Sequence, residues 1–140
     1  MPSVSEKYLT YIETFEESIK MAFGDDMHQV DKAVYIEHMG GFCFIYKYFP
    51  LNYIIEIENE LSHFGITIKD SENAQTNLSR IHPYNNMLGE KNICDAVSLL
   101  KNVLEDNDFP LYIFKLKKNR IYKKYKGEIT LLKDRSELQY

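Results

Sequence analysis

Gly40-Gly41 stands between two runs, AVYIEHM and FCFIYKY, that are dense in β-branched and aromatic side chains. Two residues with cheap access to positive φ between two such runs predict an antiparallel hairpin over residues 33–48. Side chains alternate across a strand, so Phe42, Phe44, Tyr46 and Tyr48 share one face and Cys43, Ile45 and Lys47 the other. The segment before this hairpin has a different period. Tyr8, Ile12, Phe15, Ile19 and Ala22/Phe23 recur at helical spacing, which predicts a helix with one buried stripe. Ser3 and Glu6 form a capping box at its start, and Gly24 is its stop. Opposite the stripe, Glu6, Glu13 and Glu17 share an acidic face, with Glu16 and Lys20 at its edge.

After Pro50 the period becomes helical again, because Leu51, Ile54, Ile57, Leu61 and Phe64 recur at that spacing and Gly65 closes the run. A helix is expected over 51–64, although the string YIIEIE also suits a strand. ITIKD at 66–70 reads as a short strand. Residues 71–88, rich in Asn and Ser and containing His82-Pro83, read as a long irregular connection, a kind of segment that is often functional. Glu90 to Glu105 is a second long helix burying Ile93, Ala96/Val97, Leu100 and Val103/Leu104, ended by Asn107-Asp108 and Pro110. The tail reads as a meander of LYIFKLK, RIYKKYK and EITLLK, with turns near Lys118-Asn119 and Lys126-Gly127 and with Tyr112, Phe114 and Leu116 on one face. The expected fold is α+β, a single domain over 1–140, with about three helices packed on a mainly antiparallel sheet and a C-terminal β-meander.

Charge is split along the chain. Residues 1–109 carry 18 Asp and Glu against 8 Lys and Arg, whereas residues 110–140 carry 3 against 9. Such a split speaks of partners more than of chemistry, since long-range fields steer association and leave the fold almost untouched. The N-terminus has neither a basic start nor an apolar stretch, and no segment approaches a membrane span, so a cytoplasmic protein without membrane attachment is expected. There, Cys43 and Cys94 would stay reduced and act as small core residues.

Chemistry-bearing patterns are sparse. His28, His38, His63 and His82 lie apart with no metal-ligand spacing, and Glu37-His38 on a strand would point to opposite faces. There is no nucleophile elbow and no phosphate-binding glycine loop, since Gly40-Gly41 precedes a strand. No metal, cofactor or catalytic residue is therefore assigned, and the expectation is a protein that is not an enzyme. The one enzymatic alternative would centre on His82 in the 71–88 connection. Lys115, Lys117, Arg120, Lys123 and Lys124, interleaved with Tyr122 and Tyr125, form the alternative nucleic-acid site, in a binding or regulatory module. The whole-chain pI of about 5.6 and the use of lysines to protect edge strands weigh against nucleic acid as partner.

Acidic pairs recur instead, at Glu16-Glu17, Asp25-Asp26, Glu56/Glu58/Glu60 and Asp70/Glu72. In size and charge character the whole chain resembles the small immunity proteins of bacterial polymorphic-toxin and contact-dependent inhibition systems. That resemblance implies a partner, a cognate toxin domain, often a nuclease, which such a protein neutralises. It assigns no residue a role. Physical reasoning supplies candidates: a nuclease presents a cationic cleft, and a rigid acidic surface occupies it with fast, steered association. The candidate contacts are Glu13, Glu16, Glu17, Asp25, Asp26, Glu56, Glu60, Asp70 and Glu72, with tyrosines as desolvated anchors. The basic tail would orient the complex, protect the last strands or support a homodimer.

Overall fold

A computed structural model describes residues 4–35 and 41–134. Helix α1 (Val4–Phe23) runs through a 3-10 turn at Gly24–Asp26 into strand β1 (Met27–Tyr35), and β2 (Gly41–Tyr48), β3 (Tyr53–Glu60), β4 (His63–Lys69) and β5 (Gln75–Asn77) follow. Next come the one-turn helix α2 (Leu78–Ile81), helix α3 (Glu90–Asp106) and strands β6 (Leu111–Lys115), β7 (Arg120–Tyr125) and β8 (Glu128–Asp134). The strands form one sheet in the order β1 to β8, antiparallel at every step. The α+β architecture with three helices and a C-terminal meander is as expected. Ser3, the Glu37-His38 pair and Gly40 lie outside the described residues, whereas the hairpin register on either side of them is clear, with Tyr35 opposite Gly41 and Ala33 opposite Cys43.

Both long helices lie on one face of the sheet. Phe42, Phe44, Tyr46 and Tyr48 alternate inward on β2 and are buried, as are Ile55 and Ile57 on β3 and Phe64, Ile66 and Ile68 on β4. From α1, Ile12, Phe15, Ile19 and Phe23 meet them, and from α3 come Ile93, Ala96, Val97, Leu100 and Leu104. Phe15 is the hub, making edge-on contacts with Phe42, Phe44 and Phe64 at 5.7, 6.2 and 5.2 Å between ring centres. Such contacts add to the burial of the rings themselves. The hydroxyl of Tyr8 donates to the Leu61 carbonyl at 3.1 Å and ties the start of α1 to the β3–β4 turn.

The helix expected over 51–64 is instead β3, a tight turn and the start of β4. Leu51, Ile54, Ile57, Leu61 and Phe64 do fit a helical period, but Ile55 and Ile57 point into the core while Ile54, Glu56 and Glu58 point away, which is a period of two. The turn is made by Leu61 in the left-handed region at φ 54°, a conformation that glycine or asparagine usually signals. Gly65 lies within β4 opposite Glu58 and terminates nothing. The 71–88 connection is also more ordered than expected, since Ala74, Thr76 and Leu78 are buried and carry β5 and α2. Its far end is stitched to the β3–β4 hairpin: Phe64 N donates to the Asn86 carbonyl at 2.9 Å and Leu88 N to the Ser62 carbonyl at 2.8 Å. In the meander Leu111, not Tyr112, is buried, and Leu116 leaves the strand for a 3-10 turn.

Truncation of Phe15 to alanine is expected to cost about 3–5 kcal/mol, because its ring is fully buried against three others. Urea denaturation of Phe15→Ala reads this loss directly. A loss below about 1 kcal/mol would mean that α1 is not seated on this seam.

Candidate interaction surfaces

The charge split in the sequence becomes a spatial one in the fold. Residues 4–26 and 90–106, which make the helix layer, hold ten Asp and Glu against four Lys and Arg, a net of −6. Residues 111–134, the meander, hold eight Lys and Arg against two Asp and Glu, a net of +6. An acidic layer and a basic hairpin therefore belong to the same body.

The candidate acidic residues do not form one surface. Glu13 and Glu17 are exposed on α1, and Asp25 and Asp26 are exposed in the 3-10 turn that continues it. Glu16 is half-buried and engaged, since its carboxylate accepts from Lys32 Nζ at 3.0 Å and from Gln29 Nε2 at 3.2 Å. Gln29 also donates to the Tyr46 hydroxyl at 3.0 Å. Burial pushes the Tyr46 phenol up to about 12, with the Glu16 charge adding to the rise and the Gln29 donor opposing it. Glu56 lies on the opposite, helix-free face, paired with Lys69 at 2.9 Å, and Glu60 sits exposed at the end of β3. The same open face carries Cys43, whose thiol is pushed up by burial and by the nearby Glu58, Glu56 and Asp31 charges.

Asp70 and Glu72 belong to neither surface. Asp70, with its side chain only 11% exposed, accepts from Lys124 Nζ at 2.7 Å and from the backbone N–H groups of Glu72 and Ala74, both at 2.9 Å. Lys124 also reaches Glu72 at 3.2 Å. Burial works against ionising Asp70, but the Lys124 ammonium and the two backbone donors outweigh it and hold its carboxyl below the ordinary range. Lys124 is raised, because the Asp70 hydrogen bond outweighs desolvation and Glu72 adds to it. Asp70 and Lys124 line a cleft of about 370 Å³ with Tyr53, Asn107, Phe109 and Tyr125. The Tyr53 hydroxyl donates to Asn107 Oδ1 at 3.1 Å, and the Tyr125 hydroxyl donates to Asp108. Asp70 contributes to the rise of the Tyr53 phenol after burial, with Lys124 opposing.

The position of this network explains its composition. Strands β5 and β6 share a single register pair, Gln75 with Tyr112, so backbone bonding between the body and the meander is thin. Lys124 on β7 reaches across that junction to the β4–β5 turn, and Tyr125 reaches the residues that follow α3. The cleft is thus a clamp between the two halves of the sheet, and no sequence spacing announces it because Asp70 and Lys124 are 54 residues apart.

Among the candidate basic residues, Lys115 and Lys117 are exposed, whereas Arg120, Tyr122, Lys123 and Tyr125 are partly buried on β7. The ammonium groups of Lys123 and Lys126 both lie over the Tyr125 ring, at 5.5 and 5.2 Å. His82 is exposed, and its Nδ1 donates to the adjacent Pro83 carbonyl at 2.8 Å. Cys94, expected as a small core residue, is exposed on α3 beside the Ser18 hydroxyl at 3.3 Å, whereas Cys43 is half-buried. Among the described residues no cluster of His, Cys, Asp and Glu is arranged to hold a metal ion, and no helix is long and apolar enough to cross a membrane. Comparison with protein-family models, curated proteins and solved structures found no match.

The clamp has a defined pH signature. A carboxyl whose folded pKa is depressed stabilises the fold above its unfolded value, so the Asp70 contribution is present above the ordinary 3.8 and is lost as pH falls through the lower folded value. The raised Lys124 stabilises below its ordinary 10.5, and its contribution is lost as pH rises through the higher folded value. Asp70→Asn is therefore expected to be about 2 kcal/mol less stable than the parent between those limits, with the gap closing towards both extremes. Urea titrations across pH measure it, and a gap independent of pH would refute the pairing.

Proposed function

We propose that this protein is an immunity-type inhibitor, a non-enzymatic cytoplasmic protein that neutralises a cognate bacterial toxin domain with nuclease activity. In this reading the acidic helix layer is laid over the toxin's basic active-site cleft. The observation that carries it is the sorting of charge: a net of −6 gathered on α1, the following turn and α3, away from the basic meander. Glu13, Glu17, Asp25 and Asp26 are the contact residues of choice, because they are exposed and no cation pairs with them among the described residues. Glu16 fixes Lys32 and Gln29, while Asp70, Glu72 and Glu56 serve internal pairs, so these four are support rather than contact.

Rigidity favours this use of α1. A helix seated by Phe15 and pinned by Tyr8 presents its carboxylates without further ordering, so little entropy is lost on binding. The nucleic-acid reading of the meander is less favoured. Lys124 is already engaged by Asp70 and Glu72, and the Tyr125 ring, which would have to stack on a base, is attended by two lysines and bound through its hydroxyl.

The test pairs the protein with the toxin domain encoded by the neighbouring upstream gene. Co-expression is expected to abolish toxicity and the two chains to co-purify. Replacing Glu13, Glu17, Asp25 and Asp26 by their amides should slow association about tenfold or more at low salt and flatten its salt dependence, with dissociation changed far less. Failure both to co-purify and to protect would overturn the reading.

A further inference from the structure

The geometry points to the free edge of β8 as a strand-addition site for an extended segment of a partner protein, one in which apolar and acidic side chains alternate. This inference concerns the basic end of the molecule and stands apart from the acidic helix layer. Strand β8 is last in the sheet order, so among the described residues no strand pairs with its outer side. A free edge presents a row of unpaired N–H and C=O groups, which are a template for another chain.

The two edges of this sheet are treated differently. Along β1 the register breaks at a bulge between Gln29 and Asp31, and Lys32 turns its charge inward to Glu16 at 3.0 Å. Both devices discourage pairing. Strand β1 also exposes Val30, Val34 and Tyr35, but Val30 sits in the bulge and Val34 and Tyr35 stand on opposite sides. Along β8, by contrast, Ile129, at 56% exposed, and Leu131, at 48%, share one side in unbroken register, with Leu132 exposed beyond them. The register slips only between Ile121 and Tyr122, which leaves Glu128 to Leu131 in regular pairing with β7.

The register also sets the chemistry of the incoming strand. Ile129 and Leu131 stand opposite Lys124 and Tyr122, on the side of the sheet that faces the helices. Glu128, Thr130 and Lys133 stand opposite Tyr125, Lys123 and Ile121, on the other side, where Lys123 and Lys133 outnumber the one carboxylate. A ninth strand alongside would lay every second side chain beside Ile129 and Leu131, and the intervening ones beside Lys133 and towards Lys123. Apolar groups suit the first set and carboxylates the second. A second copy of the chain is the poorer occupant, because edge-to-edge pairing would bring together two meanders that each carry a net of +6. The partner segment must bring negative charge, over a length matching the seven residues of β8.

The probe is a capped, fluorescent heptapeptide of alternating valine and glutamate, titrated with the full chain beside its valine–lysine counterpart and a thymidine oligonucleotide. The valine–glutamate peptide is expected to bind best. Ile129→Thr with Leu131→Thr, which keeps strand-forming residues at exposed positions, should weaken it about tenfold or more. Lys133→Glu should shift the preference towards the valine–lysine peptide. Variants that neutralise Glu13 and Glu17 should bind the probe as the parent does, so that this proposal and the immunity reading fail separately. Equal binding of the two peptides, or binding indifferent to the β8 substitutions, would overturn the proposal. So would tighter binding of the oligonucleotide, or a concentration-dependent dimer of the chain alone that Ile129→Thr with Leu131→Thr dissolves.

Discussion

Burial of the β2–β4 face of an eight-stranded sheet beneath two helices is the constraint from which the rest of the molecule follows. Phe15 sits at its centre, and the rings of Phe42, Phe44 and Phe64 close around it. Because α1 and α3 bury their apolar stripes on the same side, their outward faces are left to carry charge. Nearly every apolar side chain of β2 to β4 that could reach this seam does so. The opposite face of the sheet is left half-buried and polar, with pairs such as Glu56 and Lys69.

A sheet of this width has a weak point where backbone pairing is thinnest. That point is the junction of β5 and β6, with one register pair, and the molecule crosses it with side chains. Asp70 and Lys124 are well suited to the task, because the ion pair is largely sheltered and two backbone donors complete the carboxylate's hydrogen bonding. A sheltered pair of this kind adds little over an apolar contact but is costly to break on one side. The basic meander is thereby held in a fixed relation to the acidic body, which gives the whole molecule a persistent separation of charge.

Much of this was legible in the residues. The stripe from Tyr8 to Phe23, the alternation of Phe42 to Tyr48 and the stripe of α3 are uniform over many residues, and burial follows them closely. The last turn was legible as well, since Lys126 and Gly127 both take positive φ, at 50° and 82°. What hid the β3–β4 hairpin was a turn residue of the wrong type: Leu61 holds a left-handed conformation with no glycine or asparagine to announce it. The start of β1 at Met27 was hidden by its bulge, which breaks the alternation at Val30. Of the candidate contacts, Glu13, Glu17, Asp25 and Asp26 emerged as exposed charge, whereas Asp70 and Glu72 turned out to meet a lysine far along the chain. Only tertiary structure could sort these two kinds of acidic residue, because a carboxylate's neighbours in sequence do not reveal its neighbours in space.

If the proposed inhibitor role holds, the partner lies on the helix layer, and the most direct measurement is the amide-exchange footprint of this chain in complex with the proposed cognate toxin domain. Added protection is predicted over α1 and the following turn, residues 4–26, with the helix-free face of the sheet exchanging as in the free protein. Protection confined to that open face, with α1 unchanged, would contradict the account.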